Sequence, residues 1–204
     1  MKKKNETTEE TILLAARKAF TRKGLSGARM QDIADEAGIN KALVHYYFES
    51  KEKLFGLIFG QEFGKFFSNL AGVMMADIPL FEKIEHIVEL DIERMSQFPD
   101  MPLFVINEIS RNPAIIMEQL KRLDVKSVIG NFQKQVKEEI KKGNIINIGA
   151  DQLLINIQSL CIFPTVAKPM VKNVMQVNEK QYLAMIQRRK KEVAMFIINA
   201  IKIK

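Results

Sequence analysis

Two short amphipathic runs separated by a turn of three or four residues constrain this chain more than any other feature. Met30, Ile33, Ala34 and Ala37 recur at helical spacing and stop at Gly38; Asn40 stands where a cap belongs, and a second run continues through Phe48. Apolar residues three and four apart line one side of a helix. Glycine supplies the left-handed residue that ends such a helix, and the Asn oxygen accepts from the free N–H groups that open the next. Two short helices joined by a Gly-containing turn read as a helix-turn-helix candidate.

The flanks repeat the helical pattern. Thr7 and Glu10 have capping-box spacing, and Ile12, Ala15, Ala16, Ala19 and Phe20 form an apolar stripe closed by Lys23 and Gly24. Ser50 caps a fourth helix that opens Lys51-Glu52-Lys53-Leu54 and stays apolar through Phe67. Its Gly56, Gly60 and Gly64 lie one turn apart, either admitting a neighbouring helix or walling a bulky ligand, while Lys51, Lys53, Glu62 and Lys65 argue against a membrane pairing motif. Further helices are expected near 79–97, 102–111, 113–142, 150–172 and 179–203, punctuated by Pro99-Asp100-Met101-Pro102, Asn112-Pro113, Gly143-Asn144 and Lys172-Asn173. With only six Pro and ten Gly, and no strand-length alternation, the chain reads as all-α.

At 204 residues and 47 % hydrophobic content the chain can bury a sizeable core, which excludes general disorder. A single cysteine, Cys161, rules out an internal disulfide and suits a reducing compartment. The basic start meets Glu9 and Glu10 rather than an apolar stretch, so no export signal is read, and no apolar run is long enough to span a bilayer; a cytoplasmic location is expected, with no membrane partner. The net charge of +7 is a weak pointer to a polyanion, because residues 188–204 concentrate six cations against one acid and also suit a solvated helix end.

The third helix is more specific. Turning Val44 and Phe48 toward a core leaves Ala42, Leu43, His45 and Tyr46 on the wet side. As a major-groove surface this makes sense: Ala42 permits close approach, Leu43 can meet a thymine methyl, and Lys41, His45 and Tyr46 can reach base edges or phosphates. The alternative is that Leu43 and Tyr46 pack beneath the C-terminal region.

Phe20, Gly24, Ile33-Ala34, Gly38, His45 to Phe48 and Ser50-Lys51-Glu52 together resemble the DNA-binding region of the tetracycline-repressor (TetR) family of bacterial regulators, over about residues 8–58. The resemblance implies that Lys41, Ala42, Leu43, His45 and Tyr46 are groove contacts, with Lys51 a phosphate clamp at a helix N-terminus. Two departures stand out. Where the family usually places Thr or Ser before helix two this chain has Ala28-Arg29, so Arg29 is expected to hold phosphate while Ser26 or water caps the helix; and His45 replaces the more usual Tyr.

The resemblance also divides the chain into residues 1–50, a three-helix DNA-binding domain, and 51–204, a larger helical ligand-binding and dimerisation domain, with the helix from Ser50 bridging them. The chain offers its own reason to pair. Met185, Ile186, Val193, Phe196, Ile197, Ala200 and Ile201 in the last helix, and Leu153, Leu154, Ile157, Leu160, Cys161 and Pro164 before it, form stripes wider than one buried face needs. A homodimer would bury the excess as a four-helix interface. Nine of the eleven methionines lie beyond residue 70, suiting a pocket for a small hydrophobic effector or a plain core equally. Phe63, Phe67, Phe104, Asn107 and Glu108 are the candidate ligand contacts, although for Glu108 an ion pair with Arg111 is the favoured reading.

Catalysis finds little here. His45 and His86 are the only histidines, Cys161 sits in an apolar stretch, and no P-loop, nucleophile elbow or zinc spacing occurs, so no enzyme activity, cofactor or metal is expected. The reading is a regulator binding double-stranded DNA as a homodimer, a repressor released by a small molecule; an activator of the same fold and a helical protein-interaction scaffold are the alternatives.

Overall fold

The computed structural model describes residues 7–97, 102–103, 105–106, 110, 113–114 and 124–203, apart from the side chains at 62, 63, 66 and 97. Its helices are α1 (Thr8–Gly27), α2 (Met30–Ala37), α3 (Lys41–Phe48), α4 (Lys51–Met75), α5 (Leu80–Gln97), α6 (Val125–Lys141), α7 (Ala150–Val166), α8 (Lys168–Val174) and α9 (Glu179–Ile201). Among the described residues there is no strand, only an isolated antiparallel bridge between Ile145 and Lys202. The chain is all-α. No single helix among the described residues is long and apolar enough to cross a membrane.

Two compact units emerge, Met1–Lys65 with Leu103–Leu120, and Phe66–Pro102 with Lys121–Lys204, so α4 contributes residues to both. In the first, Ile12, Ala15, Ala16, Ala19 and Phe20 of α1 are buried, with Ile33 and Ala34 of α2 and Leu54, Phe55, Ile58 and Phe59 of α4. Phe20 meets Phe55 edge-on at 5.0 Å between centroids, and Phe55 stacks with Phe59 at 5.9 Å. The capping box forms, Thr7 Oγ1 accepting from Glu10 N–H at 3.2 Å and Glu10 returning an acceptor to Thr7 N–H at 2.9 Å. Gly24 (φ 65°, ψ 178°) kinks α1 where the sequence anticipates its close. Among the described residues, a Cβ built at Gly56 or Gly64 meets nothing within 4 Å.

The second unit is held by α5, whose buried Leu80, Ile84, Ile87, Val88, Ile92 and Met95 follow one helical phase. Around it lie Phe132 and Val136 of α6, Leu153, Ile157 and Cys161 of α7, and Ile186, Val193, Ile197 and Ile201 of α9. Carbonyls that end α4 are satisfied by side chains: Met74 O accepts from Lys83 Nζ at 2.8 Å and from Asn131 Nδ2 at 2.9 Å. Lys83 is thereby a buried cation at a helix C-terminus, where the dipole favours positive charge.

Two expected helices are corrected. The one read over 113–142 restarts at Val125, because Asp124 leaves helical geometry and accepts from Ser127 N–H at 3.3 Å. The one read over 150–172 breaks at Ala167 into α7 and α8, bent by 76°. Pro164 lies inside α7, three residues before the break. Lacking an N–H, it leaves Leu160 O without its helical donor, and Arg189 Nη2 of α9 supplies one at 2.6 Å. Tyr182, two turns earlier on α9, donates its hydroxyl to Pro164 O at 3.1 Å.

Candidate nucleic-acid interface

The turn between α2 and α3 is built by backbone geometry that only its own residues allow. Gly38 adopts φ 69°, ψ 28°, and the two crossed bonds of a Schellman close follow: Gly38 N–H to Asp35 O at 3.2 Å and Ile39 N–H to Ala34 O at 3.0 Å. Asn40 Oδ1 then accepts from Leu43 N–H at 2.7 Å and opens α3. Val44 and Phe48 are buried and fix the rotation of the helix. Lys41, Ala42, His45 and Tyr46 are consequently exposed, Tyr46 at 80 %, and Leu43 is half-buried. An aromatic ring that exposed, beside Tyr47 edge-on at 5.5 Å, is a surface shaped for contact rather than for water.

His45 Nδ1 lies 3.1 Å from Glu49 O. A carbonyl can only accept, so Nδ1 carries the hydrogen in this bond and Nε2 of the neutral ring is left an acceptor. Glu49 itself turns the chain at φ 55°, with Ser50 N–H bonded to Phe48 O, and it pairs with Lys53. Ser50 Oγ accepts from Lys53 N–H at 3.2 Å, so the cap read for α4 forms and Lys51 occupies its first turn.

Charge is distributed unevenly across this unit. Lys18 and Arg22 of α1 both reach Glu36, at 3.2 and 2.5 Å, and Lys23 reaches Asp32 at 2.9 Å. The Arg22 guanidinium holds Glu36 below its ordinary pKa and the Lys23 ammonium does the same for Asp32. These cations fasten α1 to α2. Lys41 and Lys51, in contrast, have no acidic partner among the described residues. Arg29 is exposed and its side chain gives α2 no cap hydrogen bond, while Asp32 Oδ2 accepts from Arg29 N–H at 2.8 Å. That capping acid was visible in the sequence at the third helical position.

The candidate ligand contacts are less well placed. Phe67 is half-buried against the core of the second unit. The Phe63 side chain and all of Phe104, Asn107 and Glu108 lie outside the described residues. Among the described residues no cluster of His, Cys, Asp and Glu could hold a metal ion. Cys161 is buried core, its thiol pushed up to about 12 chiefly by that burial, which leaves it a poor nucleophile.

A fixed turn presenting one short helix by its exposed face, flanked by cations without an acidic partner among the described residues, defines a DNA-binding transcriptional regulator of the helix-turn-helix class. Residues 12–58 match the profile described as "Bacterial regulatory proteins, tetR family". The chain is 27 % identical over 149 residues to the HTH-type transcriptional regulator RutR of Escherichia coli O157:H7, covering 73 % of this chain and 69 % of that one. It is 44 % identical over 50 residues to the HTH-type transcriptional repressor NicS of Pseudomonas putida, 24 % of each chain. Its fold is similar to that of the ketosteroid transcriptional regulator KstR2 of Mycobacterium tuberculosis, with TM-score 0.75 and 16 % identity over 99 % of this chain and 98 % of that one. Residues 12–58 thus carry the DNA-binding region of the TetR family, and the fold of the rest is similar to that of a solved transcriptional regulator.

Proposed function

We propose that the protein is a repressor that binds a palindromic operator as a homodimer and releases it when a small apolar molecule enters the helical body. The observation that carries this reading is the exposed face of α3, with Lys41, Ala42, His45 and Tyr46 outward and Val44 and Phe48 anchored. In that role Lys41, Ala42, Leu43, His45 and Tyr46 enter the major groove, and Arg29 and Lys51 hold phosphates. His45 Nε2, an acceptor, suits the amino group of cytosine or adenine. Residues 1–50 are the DNA-binding domain and 51–204 the body. The repressor name of NicS, carried by a relative alike over this same kind of segment, favours repression.

Pairing is supported by apolar side chains left uncovered on α7 and α9: Ile155, Phe163, Leu183, Met195 and Phe196 are all exposed, Phe196 at 66 %. Two copies of α7 and α9 brought together would cover them. Footprinting on operator DNA selected from random sequence tests the reading. Two half-sites with centres about 34 to 36 Å apart, or slightly more, are expected, because paired recognition helices enter successive grooves on one side of the duplex. Protection of a single half-site by a monomer would refute it.

Lys41 and Lys51 should differ in kind when replaced. Lys41→Ala is expected to cost about 1 to 3 kcal/mol and to relax preference at one base position. Lys51→Ala should weaken all sequences alike and lower the slope of log affinity against log salt by about one. Binding selections at several salt concentrations separate the two, and identical specificity profiles would abolish the distinction.

A further inference from the structure

The second unit contains a polar cluster that neither DNA binding nor dimerisation uses. Asp91 of α5 is 1 % exposed, yet only one of its carboxyl oxygens is satisfied: Oδ2 accepts from Gln158 Nε2 of α7 at 2.7 Å, while Oδ1 has no hydrogen-bond partner. On α9, Arg189 spends Nη2 on Leu160 O, and its Nε is buried without a partner. Cys161, one turn beyond Gln158, senses both charged groups, Asp91 raising its pKa and Arg189 lowering it. Asp91 and Arg189 thus bond to α7 within one turn of each other, at Gln158 and Leu160 beside the buried Cys161, and each keeps one buried polar atom without a partner.

A buried polar atom left without a partner costs about 1 to 3 kcal/mol, so two together call for an occupant. The occupant's chemistry follows from what each lacks. Asp91 Oδ1 needs a donor and Arg189 Nε needs an acceptor, and a hydroxyl group is both at once. Above about pH 7, where Asp91 is ionised, a carboxylate would meet it with like charge, and an ammonium has no lone pair to offer Arg189. We propose that Asp91 and Arg189 form the polar end of the effector site and that the effector is an apolar molecule carrying a hydroxyl group. The proposal rests on the reading of the helical body as effector-binding. In it Gln158 is a positioning residue, holding the Asp91 carboxyl so that Oδ1 faces the ligand.

Three matched ten-carbon probes, decanol, decylamine and decanoate, test this with the full-length protein by titration calorimetry. Decanol should bind and the two charged probes should bind at least about tenfold more weakly, one lost charge-assisted hydrogen bond being worth about that factor. Decanol should also slow alkylation of Cys161, the only cysteine, by N-ethylmaleimide, a readout on the unaltered chain. Asp91→Asn and Arg189→Met should each lower decanol affinity about tenfold or more, with folding checked by circular dichroism. Gln158→Ala should have a smaller effect, restored by Gln158→Glu at a pH where Asp91 is protonated. Equal affinity for all three probes, no decanol binding, or no change in the Asp91 and Arg189 variants would overturn the proposal and leave an ordered water as the occupant. Operator release by decanoate or decylamine instead would overturn the anchor while sparing the effector reading. Decanol binding at Asp91 without operator release would do the reverse.

Discussion

Phe163→Glu combined with Phe196→Glu is expected to hold the protein as a monomer and to lower operator affinity about 10²- to 10⁴-fold, the range lost when two linked sites become separate ones. Both rings are more exposed than buried, Phe196 at 66 % and Phe163 at 56 %, so neither contributes much to the fold of its own chain. Covering a Phe side chain is worth about 1.5 to 3 kcal/mol. In a twofold interface each residue occurs twice, so the double variant removes four rings and places four carboxylates where a dry contact would form. Sedimentation equilibrium gives the mass and a binding titration the affinity. The thermal midpoint, extrapolated to low protein concentration, should move little, since exposed positions normally change stability by about 0.5 kcal/mol or less. A double variant that keeps the dimer mass would remove α7 and α9 as the pairing surface.

The same helices show where sequence reasoning succeeds and where it stops. Caps are legible because they are local: Thr7 with Glu10, Asn40 and Ser50 act through a backbone N–H three residues away, so spacing alone identifies them. The α3 surface is legible for a related reason, since Val44 and Phe48 are the large apolar residues of one helical phase and burying them sets every other direction on an eight-residue helix. The break at Ala167 is less so. Pro164 is accepted inside α7 because Arg189, 29 positions away, donates to the orphaned Leu160 O, whereas the chain bends three residues later. Only the tertiary partner decides which proline a helix tolerates.

Buried charge was the feature most easily overlooked, although phase could have found it. Asp91 and Lys83 sit in register with Ile84, Ile87, Val88 and Met95 along α5, and a residue on that stripe is buried whatever its type. What phase cannot supply is the partner. Lys83 ends at Met74 O, nine residues away, and Asp91 at Gln158, 67 residues away. A charged residue on an apolar stripe is therefore a position to examine for function, because a simple core would place a hydrocarbon there.

Asp91 also makes the stability of the protein depend on pH in a defined direction. Its burial pushes the carboxyl up to about 7 from an ordinary 3.8, outweighing the Gln158 hydrogen bond and the Arg94 charge that both favour ionisation. In the unfolded chain the group ionises near its ordinary value. Between these two values the folded protein binds one proton more than the unfolded chain, so stability falls as pH rises from about 4 to about 7 and then levels off. Above pH 7 the folded state carries a buried carboxylate at full cost. Asp91→Asn removes the titrating group while keeping its shape: the amide oxygen can accept from Gln158 Nε2, and the amide nitrogen occupies the place where Oδ1 has no partner. The variant is expected to be more stable than the wild type at pH 8 by on the order of a few kcal/mol, since a tenfold change in an ionisation constant corresponds to about 1.4 kcal/mol. At pH 4 the two should differ little. Urea denaturation at closely spaced pH values from 4 to 9 measures the difference, and subtracting one curve from the other removes every other group that titrates alike in both. A difference that stays constant across that range would mean that Asp91 ionises in the folded protein as it does in the unfolded chain.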